Sequence, residues 1–93
     1  PEFFVQMRET LQYGSKLWAQ YGVQMAIETP IIELSKAEIA ELGIRLEAPL
    51  EHTWSCYKGG EIPCRSCDSC ILRAKGFAEA GMPDPLLVRL GRV

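Results

Sequence analysis

Apolar residues along the first twenty positions recur at three-, four- and seven-residue steps. Phe4, Met7, Leu11, Trp18 and Tyr21 share one face of a helix over Glu2–Tyr21. Pro1 and Glu2 suit its first turn, Gly22 its stop, and Gly14 lies on the same face, where another element could come close. An aromatic stripe of this kind reads as core packing rather than a ligand box. The pattern then changes period. Val23-Gln24-Met25-Ala26-Ile27 alternates and ends before Thr29-Pro30, as a short strand does.

Ser35-Lys36-Ala37-Glu38 has the reciprocal hydroxyl and carboxylate spacing of a capping box. It predicts a short helix from Lys36 to Leu42, stopped by Gly43. Residues Ile44 to Glu51 have little periodicity and read as a connector. Ile71, Ala74, Phe77 and Ala78 mark one face of a last helix, Ile71 to Ala80, ended by Gly81. Asp84-Pro85 begins a turn, and Leu86 to Val93 fits either an edge segment or a tail.

Helix, strand and short helix together predict an α/β unit over residues 1–50, followed by a helical segment over residues 51–93. One strand cannot make a sheet, so its neighbours are expected elsewhere. The chain starts at Pro1 rather than Met, so either processing or fragmentation is expected to have removed what came before. Ninety-three residues bury only roughly 60–65% of the unfolded surface, a thin core that a metal staple would help.

Cys56-x7-Cys64-x2-Cys67-x2-Cys70 holds every cysteine. Four sulfurs match the ligand number of a closed tetrahedral zinc site, with the Cys64-x2-Cys67 step turning two side chains toward one ion and Cys70 joining from a helix start. Gly59, Gly60 and Pro63 suit the chain reversal that brings back Cys56. Three other fates compete. An iron–sulfur cluster shares the Cys-x2-Cys-x2-Cys run but takes its fourth ligand downstream. Disulfide frameworks spread their cysteines along secreted chains, and unmetallated thiols are the plainest case. A zinc tetrathiolate would add negative charge, which Lys58, Arg65, Arg73 and Lys75 could offset if they are more than solvated surface. His52, the one histidine, is superfluous to a filled shell. Lys36 could hold a phosphate or carboxylate at its helix start, though a solvated lysine is the commoner case.

Ten basic and twelve acidic residues give a formal charge of −2 and no field for a polyanion. No apolar run approaches the ~18–20 residues of a membrane span, and no secretory signal is present.

Thr53-Trp54-Ser55-Cys56-Tyr57 and Cys64-x2-Cys67-Asp68-Ser69-Cys70-x2-Arg73-x2-Gly76-Phe77-x3-Gly81-x2-Asp84-Pro85 together resemble the C-terminal zinc segment of the 7-cyano-7-deazaguanine synthase family. Pro1-Glu2-Phe3 and Pro30-x5-Lys36-x-Glu38-Ile39 extend the resemblance over nearly the whole chain. Arg65 stands where that family usually has glycine, in a knuckle whose backbone calls for positive φ.

The resemblance implies the C-terminal part of a Rossmann-like PP-loop ATP-pyrophosphatase domain with a helical four-cysteine zinc segment, in a cytoplasmic and usually homodimeric ligase. Such an enzyme uses ATP and ammonia to turn 7-carboxy-7-deazaguanine into its nitrile, on the way to the tRNA base queuosine, with no direct nucleic-acid contact. It also implies Arg73 and Tyr57 as substrate-side residues. The family's ATP loop, Ser-Gly-Gly-x-Asp-Ser, is absent from these residues. The chain is therefore expected to be inactive alone, with ATP bound by an upstream part or a companion chain. A free-standing zinc module that binds protein or single-stranded nucleic acid is the alternative from a different class. Such a module should carry clustered basic charge.

Overall fold

The computed structural model describes residues 1–92; the end of the expected 86–93 segment, Val93, lies outside them. The described residues form five α-helices and one 3₁₀ turn: α1 Glu2–Tyr13, α2 Lys16–Tyr21, α3 Lys36–Arg45, the turn Leu50–His52, α4 Asp68–Glu79 and α5 Pro85–Arg89. The chain divides into two compact units, Pro1–Pro30 and Ile31–Val93. The boundary expected at 50/51 falls inside the second unit. No described helix is long and apolar enough to cross a membrane.

In the first unit the single helix expected over Glu2–Tyr21 is two. The Ser15 hydroxyl accepts the Leu17 N–H at 3.1 Å and caps a new helix, while Gly14 closes the old one by donating to the Thr10 carbonyl at 3.0 Å. A serine that offers its own cap outweighs the apolar period running across it. The aromatic stripe is also not a core. Met7, Leu11 and Tyr21 are exposed, Phe4 and Trp18 are half-buried, and neither helix has a buried residue.

The strand expected at Val23–Ile27 does not form, and no strand occurs among the described residues, so the α/β expectation is replaced here by a helical fold. The alternation survives in exposure: Met25 and Ile27 are half-buried, and Gln24, Ala26 and Glu28 are exposed. A strand exists only as a hydrogen-bonded ladder, and no neighbouring edge is present to supply one.

The second unit carries the site. Its capping box forms as the sequence predicts, with Glu38 N–H on the Ser35 hydroxyl at 3.1 Å and Ser35 N–H on the Glu38 carboxylate at 3.0 Å. The Ser35 amide, and then its side chain, hold the Glu38 carboxyl below its ordinary 4.5. A depressed carboxyl stabilises the fold above its unfolded pKa, and that contribution is lost as pH falls through the folded one. Glu38→Gln is therefore expected to fray the start of α3 at neutral pH, with the gap to wild type closing as pH falls through the lowered folded pKa. Hydrogen exchange of the first-turn amides across that range checks it.

Gly43 does not end α3. The helix runs on to Arg45 and closes in a Schellman turn, with Ala48 N–H on the Gly43 carbonyl at 2.8 Å and Glu47 N–H on the Ile44 carbonyl at 3.0 Å. The left-handed position of that turn is held by Glu47, at φ 58°. Gly43 instead lets Leu50 pack closely, since a β-carbon there would lie 3.2 Å from Leu50 Cδ1.

α3 packs on α4, and α5 packs on the 3₁₀ turn. Gly76 sets the first crossing. A β-carbon at Gly76 would lie 2.9 Å from Lys36 Cβ, so only glycine lets α4 come this near the first turn of α3. The residues expected to be a turn and then an edge or tail form α5. Asp84 caps it by accepting the Leu86 N–H at 2.9 Å, and Pro85 takes the first helical position. Leu86, at 1% exposure, is the most deeply buried side chain. Arg89 Nε donates to the Glu51 carbonyl at 2.8 Å and fastens α5 to the turn.

Candidate metal centre

Among the described residues the buried apolar core comprises Ala40, Cys56, Cys70, Phe77 and Leu86, so two of the four cysteines are part of the core itself. Cys67 occupies the N-cap position of α4, and Cys70 lies in its first turn. Both sulfurs thus sit at the positive end of a helix dipole, where a thiolate is favoured. α4 starts at Asp68, earlier than the expected Ile71, with Cys67 extended just before it and making no side-chain cap. Cys56 arrives on the Thr53–Ser55 segment, whose Trp54 indole N–H donates to the Cys56 carbonyl at 2.9 Å. Cys64 comes from the return of the loop after Pro63.

The four Sγ atoms lie within 4.8 Å of one another, and those of Cys64 and Cys70 are 4.0 Å apart. Ligand distances of ~2.3 Å place the corners of a zinc tetrathiolate about 3.8 Å from each other, so this donor set fits one zinc ion with small adjustments. None of the cysteines is disulfide-bonded. His52 is outside the cluster, with its side chain largely exposed beside Glu51 at 4.0 Å.

Charge at the sulfurs is met mainly by backbone N–H groups, a device the sequence does not advertise. The Lys58 and Cys64 amides each donate to Cys56 Sγ at 3.4 Å; Ser66 and Cys67 amides donate to Cys64 Sγ at 3.4 and 3.2 Å. The Ser66 hydroxyl, then the Ser66 and Cys67 amides, hold the Cys64 thiol down to about 5. The Tyr57 and Cys70 amides lower Cys67, whereas burial pushes Cys70 up to about 12. A central cation would supply what Cys70 lacks.

Three of the four cations expected to neutralise the site are engaged elsewhere. Lys75 pairs with Glu79 at 3.8 Å, Arg65 donates to the Arg92 carbonyl, and Arg73 binds Asp84. Arg65 has φ 63°, the positive value the knuckle calls for. A knuckle that wraps its amides around sulfur must turn sharply, and the strained residue is the one between two N–H donors.

Arg73 is a clamp. Its Nε and one terminal nitrogen grip Asp84 at 2.6 and 2.9 Å, that nitrogen also reaches Thr53 Oγ1 at 2.9 Å, and the other donates to Ser55 Oγ at 3.0 Å. The guanidinium lies 5.4 Å from the centre of the Phe77 ring. It therefore joins α4, the cap of α5 and the segment leading into Cys56. Arg73 and Tyr57 both line a cavity of about 370 Å³ beside the cysteines, bounded by α3, the 3₁₀ turn, the Thr53–Tyr57 segment and α4. The Tyr57 ring is exposed.

Residues 1–81 match the family model of the Queuosine biosynthesis protein QueC. The chain belongs to that family. Among QueC relatives, the 7-cyano-7-deazaguanine synthase of Thermoplasma acidophilum is 50% identical over 86 residues, covering 92% of this chain and 35% of the relative. The 7-cyano-7-deazaguanine synthase 2 of Desulfitobacterium hafniense is 49% identical over 86 residues, 92% of this chain and 36% of its own. The synthase of Methanosarcina barkeri is 54% identical over 72 residues, 77% and 30% respectively. The chain thus spans about a third of the length of these curated relatives, all of which bear an enzyme's name. No solved structure matches it.

Proposed function

We propose that this chain is the zinc-bearing C-terminal part of an ATP-dependent ligase that converts 7-carboxy-7-deazaguanine and ammonia to 7-cyano-7-deazaguanine in queuosine biosynthesis. The observation that carries this reading is the QueC match over residues 1–81 together with relatives near 50% identity that are named for that product. The chemistry asks for ATP to convert a carboxylate oxygen into a leaving group, so that ammonia can replace it and water cannot. The Ser-Gly-Gly-x-Asp-Ser loop is not among these residues, so ATP is held by a Rossmann-like part outside them or on a companion chain, and the 93 residues alone are inactive.

Zinc, bound by Cys56, Cys64, Cys67 and Cys70, is structural in this reading. Four thiolates leave no position for water or substrate, which removes a Lewis-acid role. The ion would fix the segment that carries Tyr57 and the start of α4, on the wall of the cavity. Tyr57 and Arg73 are its substrate-side residues, Arg73 acting through the Thr53 and Ser55 hydroxyls that it holds. The parent works in the cytoplasm as a homodimer in this reading.

The test is made on the zinc-loaded, full-length protein carrying these residues, supplied with the acid, ammonia and ATP. Formation of the nitrile, detected by mass, with AMP released only when the acid is present, is the expected result. A protein with full zinc content that makes no nitrile overturns the proposal.

A further inference from the structure

The cavity beside the cysteines has two kinds of polar wall. Arg73 donates to Asp84, Thr53 and Ser55, and so has little left for a ligand. Lys36, Asp68, Ser69 and Tyr57 also line it, yet among the described residues none of these side chains forms a hydrogen bond or an ion pair. Nor do Lys36 and Asp68 pair with each other. The reason lies in the helix crossing. The Gly76 contact pins Lys36 against the middle of α4, while Asp68 opens that helix eight residues earlier, about 12 Å away at 1.5 Å per residue. The two residues thus enter the cavity wall from backbone positions well separated along α4. Leu50, Ile39 and Phe77 add apolar surface to the same cavity. At about 370 Å³ the space is of the size that takes a small molecule.

We infer that this cavity binds a planar heteroaromatic acid end to end, with the Lys36 ammonium on the carboxylate and the Asp68 carboxylate accepting from an N–H edge at the far end of the ring. The inference rests on the proposed function and deepens it, since 7-carboxy-7-deazaguanine has both features: a carboxylate on its five-membered ring and a ring N–H beside an exocyclic amine on the other. An ionised carboxyl accepts two such donors side by side. The exposed Tyr57 ring offers a face for stacking. The first-turn amides of α3 add to the positive potential around Lys36. Arg73, with four of its five N–H donors already engaged, is on this account a positioning residue.

The experiment is calorimetric titration of the zinc-loaded full-length protein with two ligands, 7-carboxy-7-deazaguanine and 7-deazaguanine, which lacks the carboxylate. Lys36→Met should weaken the acid about tenfold or more, the worth of a charge-assisted hydrogen bond, and leave 7-deazaguanine within about twofold. Lys36→Arg should restore most of the acid's affinity. Asp68→Asn should weaken both ligands alike, by about tenfold. Zinc content and melting temperature equal to wild type confirm that each variant is folded. Should Lys36→Met weaken both ligands equally or neither, or Asp68→Asn leave both unchanged, in a protein whose wild type still makes the nitrile, the inference fails while the function stands. A wild type that binds neither ligand and makes no nitrile overturns both.

Discussion

Stripping zinc from the loaded protein with a chelator is expected to unfold at least residues 51–85, and with them α3 and α5. Two of the five residues in the buried apolar core belong to the four-cysteine cluster, Cys56 and Cys70, and the remaining Ala40, Phe77 and Leu86 are too few to hold a unit of this size. Cys70 sits on α4, α3 has its main contact with α4, and α5 is tied to the 3₁₀ turn next to the Cys56 segment. Structural zinc contributes about 10–16 kcal/mol of apparent binding free energy, and whole domains are stable by only ~5–15 kcal/mol. Without the ion, four thiols remain with nothing between them, so the staple and the core disappear together. Hydrogen exchange should show the amides of α4 losing protection as zinc leaves, and Cys70→Ser should have the same effect at equal zinc. Retained protection and an unchanged melt after complete metal removal would show that the helices hold one another without it.

Arg73→Met is expected to cost about 3 kcal/mol, the lower part of the range for removing one partner of a buried ion pair. Asp84 has a side chain only 8% exposed, and Arg73 13%, so water cannot easily replace the guanidinium. The loss stays near the lower end because Asp84 still accepts the Leu86 N–H. Over a unit of this length the melting temperature should fall by roughly 12 °C or more. Ser55 and Thr53 lose their donor as well, so the segment leading into Cys56 loosens and zinc is released at lower chelator concentration. Adding Asp84→Asn should recover part of the stability, since it removes the stranded charge. If Arg73→Met melts like wild type while substrate affinity falls, the residue faces the ligand and the clamp is incidental.

The parts of this molecule that are legible in the sequence are those written in local chemistry. The capping box at Ser35 and Glu38, the Gly81 stop after α4 and the clustering of Cys56, Cys64, Cys67 and Cys70 each need only a few neighbouring residues, and each appears as read. What depends on distant partners is not legible. Val23–Ile27 has the period of a strand, but period supplies no neighbour to pair with. Phe4, Met7 and Leu11 have the period of a buried face, yet nothing in Pro1–Pro30 covers it. The end of α3 escapes for another reason: its left-handed cap is Glu47, a residue that rarely takes that role, while Gly43 is needed for the approach of Leu50. Asp84-Pro85 reads as a turn and as a helix start equally well, and the burial of Leu86 decides for the helix.

At the cysteines, the ligand set can be read off but the amide donors cannot, because any residue type supplies an N–H. The cavity is hidden in the same way. Lys36 is exposed in the structure as well, and only the approach of α4 at Gly76 sets it on the cavity wall.

The left-handed backbone of Arg65 ties the two ends of this half of the molecule together. A side chain forced out of the knuckle at that angle delivers its guanidinium to the Arg92 carbonyl, twenty-seven positions later in the chain. Glycine at 65 would relax the knuckle by ~1–2 kcal/mol and let go of that carbonyl. The chain thus keeps a local distortion in the cysteine knuckle as the anchor for the backbone that follows α5, and loosening either one should be felt at the other.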